Sequence, residues 1–106
     1  MQVLIVEFGL SGITAEELEA GAPDLAPAFA AIPGCIEKTW LSEPASNTFG
    51  GVYKFEDRAA LDAYLASELF ASVQSNPAFT NVKARAFGVM ARATEITRGM
   101  PGVPVR

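Results

Sequence analysis

Short apolar runs alternate along the chain with longer stretches in which apolar residues recur at helical spacing. The first run, Val3 to Val6, is apolar at every position and is followed by Phe8 and by a turn-rich segment from Gly9 to Gly12. Such a run is typical of a strand that is covered on both faces. We therefore predict a first strand rather than a signal peptide, since Glu7 and the lack of a basic leader argue against export.

The pattern changes to a helical period after this strand. Thr14 and Glu17 form a capping-box signature, which marks the start of a helix. One apolar stripe follows, made of Leu18, Ala22, Leu25, Phe29 and Ile32. Pro23 and Pro27 interrupt it. Because proline lacks the backbone donor, we predict a short first turn, a break near Pro23 and a main helix over about residues 24–32.

The next stretch predicts a β-hairpin that opens with the turn Pro33-Gly34. A strand from Cys35 to Leu41 would place Ile36, Lys38 and Trp40 on one face. Turn-forming residues, Pro44, Ser46 and Asn47, fill the following segment. The second strand runs over residues 49–55, and one of its faces carries Phe49, Gly51, Tyr53 and Phe55.

A second helix and a last strand complete the pattern. Asp57 is a good N-cap for a helix that we expect to be broken or bent near Ser67 and to end at Asn76. Its apolar stripe is Leu61, Tyr64, Leu65, Leu69 and Val73. The last strand is predicted over residues 82–90. The tail over about residues 94–106 contains two glycines and two prolines, and we expect it to be extended or partly disordered.

The order strand, helix, strand, strand, helix, strand predicts an α+β fold of the ferredoxin-like βαββαβ type, as a single domain over residues 1–106. Two helices cover only one face of a four-stranded antiparallel sheet, yet several strands offer apolar residues to both faces. We therefore expect a second copy of the chain to cover the other face, giving a homodimer through the sheet faces.

The composition narrows the possible functions. The chain has 106 residues, a net charge of −4, one cysteine and no histidine. Its eight scattered basic residues argue against nucleic acid as a partner, and the absence of a long apolar run argues against a membrane span. Histidine-based triads and histidine-ligated metals are excluded. One cysteine forms no internal disulfide, so the expected location is the reducing cytoplasm.

Three features of the sequence carry a family resemblance: Pro33-Gly34 with Lys38 and Trp40, Gly50-Gly51 with Tyr53 and Phe55, and a helix with Ala60, Leu61, Tyr64 and Leu65. In these features the sequence resembles the YdhR-like monooxygenases of the dimeric α+β barrel group. The resemblance extends from the first strand to about residue 95. It implies a dimeric α+β barrel with a pocket between sheet and helices. It also implies cofactor-free oxygenation of an electron-rich aromatic substrate, without metal or flavin.

Six residues are candidates for the site that this resemblance implies. We assign Tyr53, Lys38 and Arg85 to catalysis, as groups that would stabilise an oxyanion. We assign Trp40, Phe55 and Gly51 to substrate binding, with the indole stacking on the substrate ring and the glycine shaping the pocket.

Four of the six candidates also have a structural interpretation. That of Trp40 is core or dimer packing, and that of Tyr53 is a structural tyrosine whose hydroxyl is hydrogen-bonded. A cation inside a covered strand needs a partner, so for Lys38 and Arg85 we favour pairing with a carboxylate such as Glu7 or Glu37.

Other polar residues are assigned structural roles. Asn47 and Asn81 fit turns better than a role in binding oxygen. Cys35 has no histidine to activate it and is expected to be buried as a small apolar residue. The acids of the first helical turn favour a helix cap over a metal site.

Two other functions remain open beside the oxygenase that the resemblance implies. The same pocket would serve a non-catalytic dimer that binds a small hydrophobic molecule. A purely structural or interaction protein would instead lack a sizeable apolar pocket.

Overall fold

The computed structural model describes residues 1–98, which form one antiparallel sheet with helices. The four strands are β1 (Gln2–Leu10), β2 (Cys35–Glu43), β3 (Thr48–Phe55) and β4 (Phe79–Gly88). The helices are α1 (Ala15–Ala30), α2 (Arg58–Leu65), α3 (Glu68–Ser75) and α4 (Ala91–Ile96). The strand order β2-β3-β1-β4 with antiparallel pairing is that of a ferredoxin-like fold, which confirms the prediction.

The strand register separates the two faces of the sheet. Leu4 pairs with Tyr53 on β3 and with Ala86 on β4, so these three side chains face the same way. This is the face that α1, α2 and α3 cover. The core on this side is formed by Leu4, Val6, Phe29, Ile32, Tyr53, Phe55, Leu61, Tyr64 and Phe70. The burial of every second residue of β3 confirms the predicted alternation.

The opposite face of the sheet, which we call the outer face, has a mixed surface. Its apolar side chains are Val3, Ile5, Leu41, Val52 and Phe87. Two ion pairs lie on it, Lys54 with Glu37 at 3.0 Å and Arg85 with Glu7 at 3.7 Å. None of α1, α2 and α3 covers these residues.

The first helix does not break at its prolines, so that prediction was wrong. α1 begins at the capping box of Thr14 and Glu17 and continues through Pro23 and Pro27 to Ala30. Both prolines lie on the exposed side of the helix. Water can bond the two carbonyls that lose their intrahelical donor, and burial of Phe29 on the opposite side holds the helix together.

The second helical segment is divided where the sequence predicted. α2 is capped by the side chain of Asp57, which accepts from the Ala60 amide. The chain then turns at Ala66, and the hydroxyl of Ser67 accepts from the Phe70 amide to start α3. This second cap keeps both pieces on the sheet, with Leu61 and Phe70 buried beneath them.

Residues after the last strand differ from the prediction. β4 ends at Gly88 rather than at residue 90, and Ala91–Ile96 is a short helix where an extended tail was expected from residue 94. Alanine, arginine and glutamate favour a helix over residues 91–96. The glycines and prolines on which the tail prediction rested all come after residue 98. The remainder of the predicted tail, residues 99–106, lies outside the described residues.

No helix within residues 1–98 is both long and apolar enough to span a membrane.

Candidate functional site

The ammonium group of Lys38 lies inside a cluster of aromatic rings, which we call the aromatic cage. Its Nζ is 3.5 Å from the centroid of the Phe29 ring, 3.6 Å from that of Trp40 and 4.7 Å from that of Tyr53. The Phe29 and Trp40 rings meet edge to face, with centroids 5.2 Å apart. Ring faces attract a cation, so the cage holds the end of the Lys38 side chain in a fixed place.

Two features of the hairpin build this cage. The β2-β3 register shifts between Cys35 and Glu37, which leaves Ile36 as an extra residue in the strand. The predicted common face of Ile36, Lys38 and Trp40 is therefore only partly correct. Cys35 packs against the core, whereas Ile36 is 40% exposed.

Gly51 provides the space that the Lys38 side chain occupies. Gly51 pairs with Trp40 across the hairpin, and a Cβ atom added to it would lie 2.7 Å from Cε of Lys38. Carbon atoms do not approach that closely, so any side chain here would displace the lysine. Gly51 therefore shapes the site through its missing side chain.

The environment of Lys38 favours its neutral form. Burial lowers the pKa of Lys38 to about 7, while the neighbouring Cys35 thiol acts weakly in the other direction. No carboxylate within residues 1–98 forms an ion pair with Lys38, so the pairing that we favoured for this residue is absent. Attraction to the three rings is the force that opposes deprotonation. The amine is thus close to half neutral at physiological pH.

Behind the cage lies a buried pair of tyrosines. The hydroxyls of Tyr53 and Tyr64 are 2.9 Å apart and form one hydrogen bond, in which either group could be the donor. Both side chains are only 2% exposed. Burial raises the pKa of both tyrosines above the ordinary value, so both remain neutral at physiological pH.

Two apolar cavities flank the end of α1. One, of about 260 Å³, lies between α1 and β2 and is bordered by Lys38, Trp40, Phe29 and Cys35. The other, of about 340 Å³, lies between α1 and α2 and is bordered by Tyr64 and several alanines. A purely structural protein was expected to lack such space, and these cavities argue against that interpretation. The first is the candidate site, because Lys38, Phe29 and Trp40 of the cage border it.

Five of the six predicted site residues lie on the helix-covered face of the sheet. Lys38, Trp40, Tyr53 and Gly51 meet around the cage, and Phe55 is fully buried beside Tyr53, with ring centroids 6.1 Å apart. Phe55 is therefore a core residue behind the site and does not border either cavity.

Arg85 lies on the outer face and is separated from the cage by the sheet. It forms an ion pair with Glu7 at 3.7 Å. Glu7 is one of the two carboxylates that we suggested as partners from the sequence. Within a single chain Arg85 cannot share an oxyanion with Lys38.

The structure adds residues that sequence reasoning did not assign to the site. Phe29 forms one wall of the cage and Tyr64 holds the hydroxyl of Tyr53. Both were predicted only as parts of apolar helical stripes. The available signal was that each stripe places one aromatic ring opposite the strand face that carries Lys38 and Tyr53.

The residues expected to be structural have structural contacts. Asn47 caps the short 3-10 helix of Pro44–Ser46 in a left-handed conformation, and its side chain bonds the amide and carbonyl of Leu10. Asn81 is also left-handed, with φ of 53°. Burial raises the pKa of the Cys35 thiol, which therefore stays protonated. No group of acidic or cysteine residues within residues 1–98 has the geometry of a metal site.

Comparison with known proteins gives a family match. Residues 3–100 match the family model described as "Putative mono-oxygenase ydhR". No curated protein sequence is significantly similar to that of the chain.

Several solved structures have the same fold at low sequence identity. SnoaB of Streptomyces nogalater, a cofactor-independent oxygenase, aligns with a TM-score of 0.65 and 22% identity, covering 84% of this chain and 92% of its own. NE2512 of Nitrosomonas europaea, of unknown function, aligns with a TM-score of 0.69 and 20% identity, covering 84% and 88%. MhuD, solved with manganese protoporphyrin IX in its active site, aligns with a TM-score of 0.67 and 21% identity, covering 85% and 95%. At these identities the comparison shows the fold alone.

Proposed function

The chain belongs to the ydhR mono-oxygenase family, and from this premise we propose that it oxidises a small electron-rich aromatic molecule, a phenol or hydroquinone, without metal or flavin. The observation that carries the proposal is the caged Lys38 beside an apolar cavity of about 260 Å³. A phenol needs a base to remove its proton and an apolar pocket with an aromatic wall, and these are what the cavity offers.

The reaction needs no electron source other than the substrate. In the simplest case a phenol and O₂ give a quinone and water. One oxygen atom becomes the new ring carbonyl, the other leaves as water, and the substrate supplies all four electrons. The first step is loss of the hydroxyl proton, because a phenolate donates electrons to O₂ far more readily than a phenol does.

Lys38 is the base in this proposal. Burial brings its pKa to about 7, so a large share of the amine is neutral and can accept the phenol proton. The resulting ammonium then lies next to the phenolate and stabilises it, which is the oxyanion role predicted from the sequence. The indole of Trp40, which is 38% exposed, would pack on the substrate ring.

The differences among the solved relatives bear on the choice of chemistry. SnoaB is described as cofactor-independent, whereas MhuD binds a metalloporphyrin. This chain has no histidine to ligate a porphyrin metal, which favours the cofactor-independent chemistry.

We also propose that two chains associate through their outer faces in the cytoplasm. The exposed Phe87 and Leu41, with the apolar residues between them, form the surface that a second copy would cover. The two ion pairs of this face would then border the interface.

Oxygen uptake with a panel of hydroquinones and naphthols tests the proposed activity. We expect the protein to exceed the uncatalysed rate with at least one of them, and Lys38→Met to lower kcat/KM by about 100-fold, the usual contribution of a general base. Arg58→Met is the matched control, since Arg58 is an exposed cation on α2 that borders neither cavity, and it should retain full activity.

Two results would contradict this function. No turnover above the uncatalysed rate across the panel would rule out the enzyme. If Trp40 fluorescence then changes and saturates with a panel member while oxygen uptake stays flat, the protein is the non-catalytic binding module instead.

A further inference from the structure

The three lysines of the chain have very different surroundings. Lys54 forms an ion pair with Glu37 at 3.0 Å, and Lys83 is exposed. Lys38 alone among them is enclosed by aromatic rings and has no carboxylate partner within residues 1–98. An amine in an apolar pocket is the usual setting for a lysine that acts as a nucleophile.

The cavity next to Lys38 suits a small uncharged ligand. Besides the lysine it is lined mainly by apolar side chains, among them Ala26, Ala30 and Phe29. Its volume of about 260 Å³ accommodates a single-ring molecule. Glu37, which pairs with Lys54, is the acidic residue on its border.

The aromatic cage also suits the product of such a condensation. An amine that reacts with an aldehyde ends as an imine, and the protonated imine carries one positive charge on the same nitrogen. Rings 3.5 and 3.6 Å from Nζ stabilise that cation as they stabilise the ammonium. The cage therefore holds the nitrogen in place before and after the reaction.

From this geometry we propose that Lys38 forms an imine with a small apolar aldehyde bound in the cavity between α1 and β2. The nitrogen lone pair attacks the carbonyl carbon, the carbonyl oxygen takes up protons and leaves as water, and a C=N bond replaces the C=O bond. No oxidant or reductant takes part. The lowered pKa of Lys38 supports the proposal, because only the neutral amine can attack.

This reactivity is separate from the oxygenation proposed above. It requires no O₂ and no phenolic substrate. Trapping of an imine under anaerobic conditions would succeed even if no hydroquinone is oxidised, and oxygen uptake would be observed even if no imine forms.

The test is reductive trapping with benzaldehyde and sodium cyanoborohydride at pH 7, followed by peptide mapping by mass spectrometry. The competing amines are Lys54, Lys83 and the amino terminus of Met1. We expect at least ten-fold more benzyl adduct at Lys38 than at any of these. The amino terminus is the strict comparison, because α-amino groups as a class condense with aldehydes more readily at neutral pH than exposed lysine side chains do.

A charged probe and two variants complete the design. Glyoxylate, an anionic aldehyde, should show no preference for Lys38, because the cavity is apolar. Lys38→Arg should lose the selective adduct and Lys83→Arg should keep it, with the fold checked by circular dichroism. Benzyl adduct spread evenly over the amines, or highest at the amino terminus, would overturn the proposal from the wild-type protein alone.

Discussion

At the residue scale, the charge of Lys38 links the site to the stability of the fold. Its pKa is about 7 in the folded protein, below its ordinary value of 10.5, because of burial. Between these values the unfolded chain binds more protons than the folded one, so the contribution of this group makes stability rise with pH across that window. Below about pH 7 the lysine is charged in both states, and the full free-energy cost of burying the charge then lowers the stability of the fold.

Replacing Lys38 by methionine should therefore stabilise the fold in a pH-dependent way. We expect Lys38→Met to exceed wild type by about 1 kcal/mol at pH 6, a figure reduced for the partial exposure of the side chain. The difference should shrink as the pH approaches 10. Urea unfolding at the two pH values measures it, with Lys83→Met as the unchanged control. An offset that is equal at both values would show that the charge of Lys38 carries no such cost.

Gly51 is the second residue on which the site depends. In Gly51→Ala the new Cβ would lie 2.7 Å from Cε of Lys38, 3.3 Å from the backbone oxygen of Thr39 and 3.4 Å from Cε1 of Tyr53, so the lysine must shift within the cage. We expect a loss of about 1 to 2 kcal/mol, typical of overpacking, together with a shift in Trp40 emission. The control is Gly21→Ala in α1, where no neighbouring atom lies within 4 Å of the new Cβ and stability should rise by about 0.5 kcal/mol. Unchanged stability and emission in Gly51→Ala would contradict this account of the glycine.

The sequence predicted the side chains of the site better than their arrangement. Alternation along a hairpin is enough to bring Lys38, Trp40 and Tyr53 to one face. Alternation within β4 separates its two faces but does not show which of them lies on the same side of the sheet as Lys38 and Tyr53. A shift of one residue in the strand pairing would exchange the two faces. Arg85 was therefore grouped with the site, although its register opposite Ile5 places it on the outer face.

At the scale of elements, α1 shows how burial overrides a local signal. Pro23 and Pro27 each remove a backbone donor, yet the helix is continuous from Ala15 to Ala30. The capping box at its start and the burial of Phe29 near its end fix both halves on the sheet. The sequence carried both signals, but only the tertiary structure determines which is stronger.

Pro27→Ala should stabilise the protein if this explanation is correct. The alanine amide can bond the Pro23 carbonyl, while the flexible unfolded chain offsets part of the gain, so we expect an increase of about 1 kcal/mol in the free energy of unfolding. Thermal and urea unfolding measure it. Ala20→Gly in the same helix is the comparison, and we expect it to lower the free energy of unfolding by a similar amount. A loss of stability in Pro27→Ala would mean that the proline is required for the path of α1.

The boundaries of the other elements were predictable where buried apolar residues determine them. The break between α2 and α3 coincides with a serine that can cap a new helix, and the sequence showed it. The helix α4 has no apolar stripe in the sequence. Met90 at its N-cap is 81% exposed, and Ile96, its last residue, is 73% exposed. A helix formed by local propensity without burial leaves no periodic signal to read.

At the scale of the whole molecule, the outer face is covered by none of α1, α2 and α3, and among residues 1–98 α4 borders only its end near Val3 and Lys54. Phe87 on β4 is 45% exposed and Leu41 on β2 is 36% exposed, at opposite edges of the sheet. The Glu37–Lys54 and Glu7–Arg85 ion pairs give the same face polar groups. An apolar surface with a charged surround is the usual form of a subunit interface.

The proposed dimer predicts that a charge at Phe87 separates the chains. Phe87→Asp would bury an unpaired carboxylate in a symmetric interface twice, so we expect it to be monomeric at micromolar concentration where the wild type is a dimer. Leu25→Asp is the matched control, because Leu25 is a similarly exposed apolar residue, 50% exposed, on α1. Multi-angle light scattering gives the masses, and circular dichroism shows that each variant is folded. A monomeric wild type would rule out the dimer, and dissociation of the Leu25 variant as well would place the contact on the helices instead of the sheet.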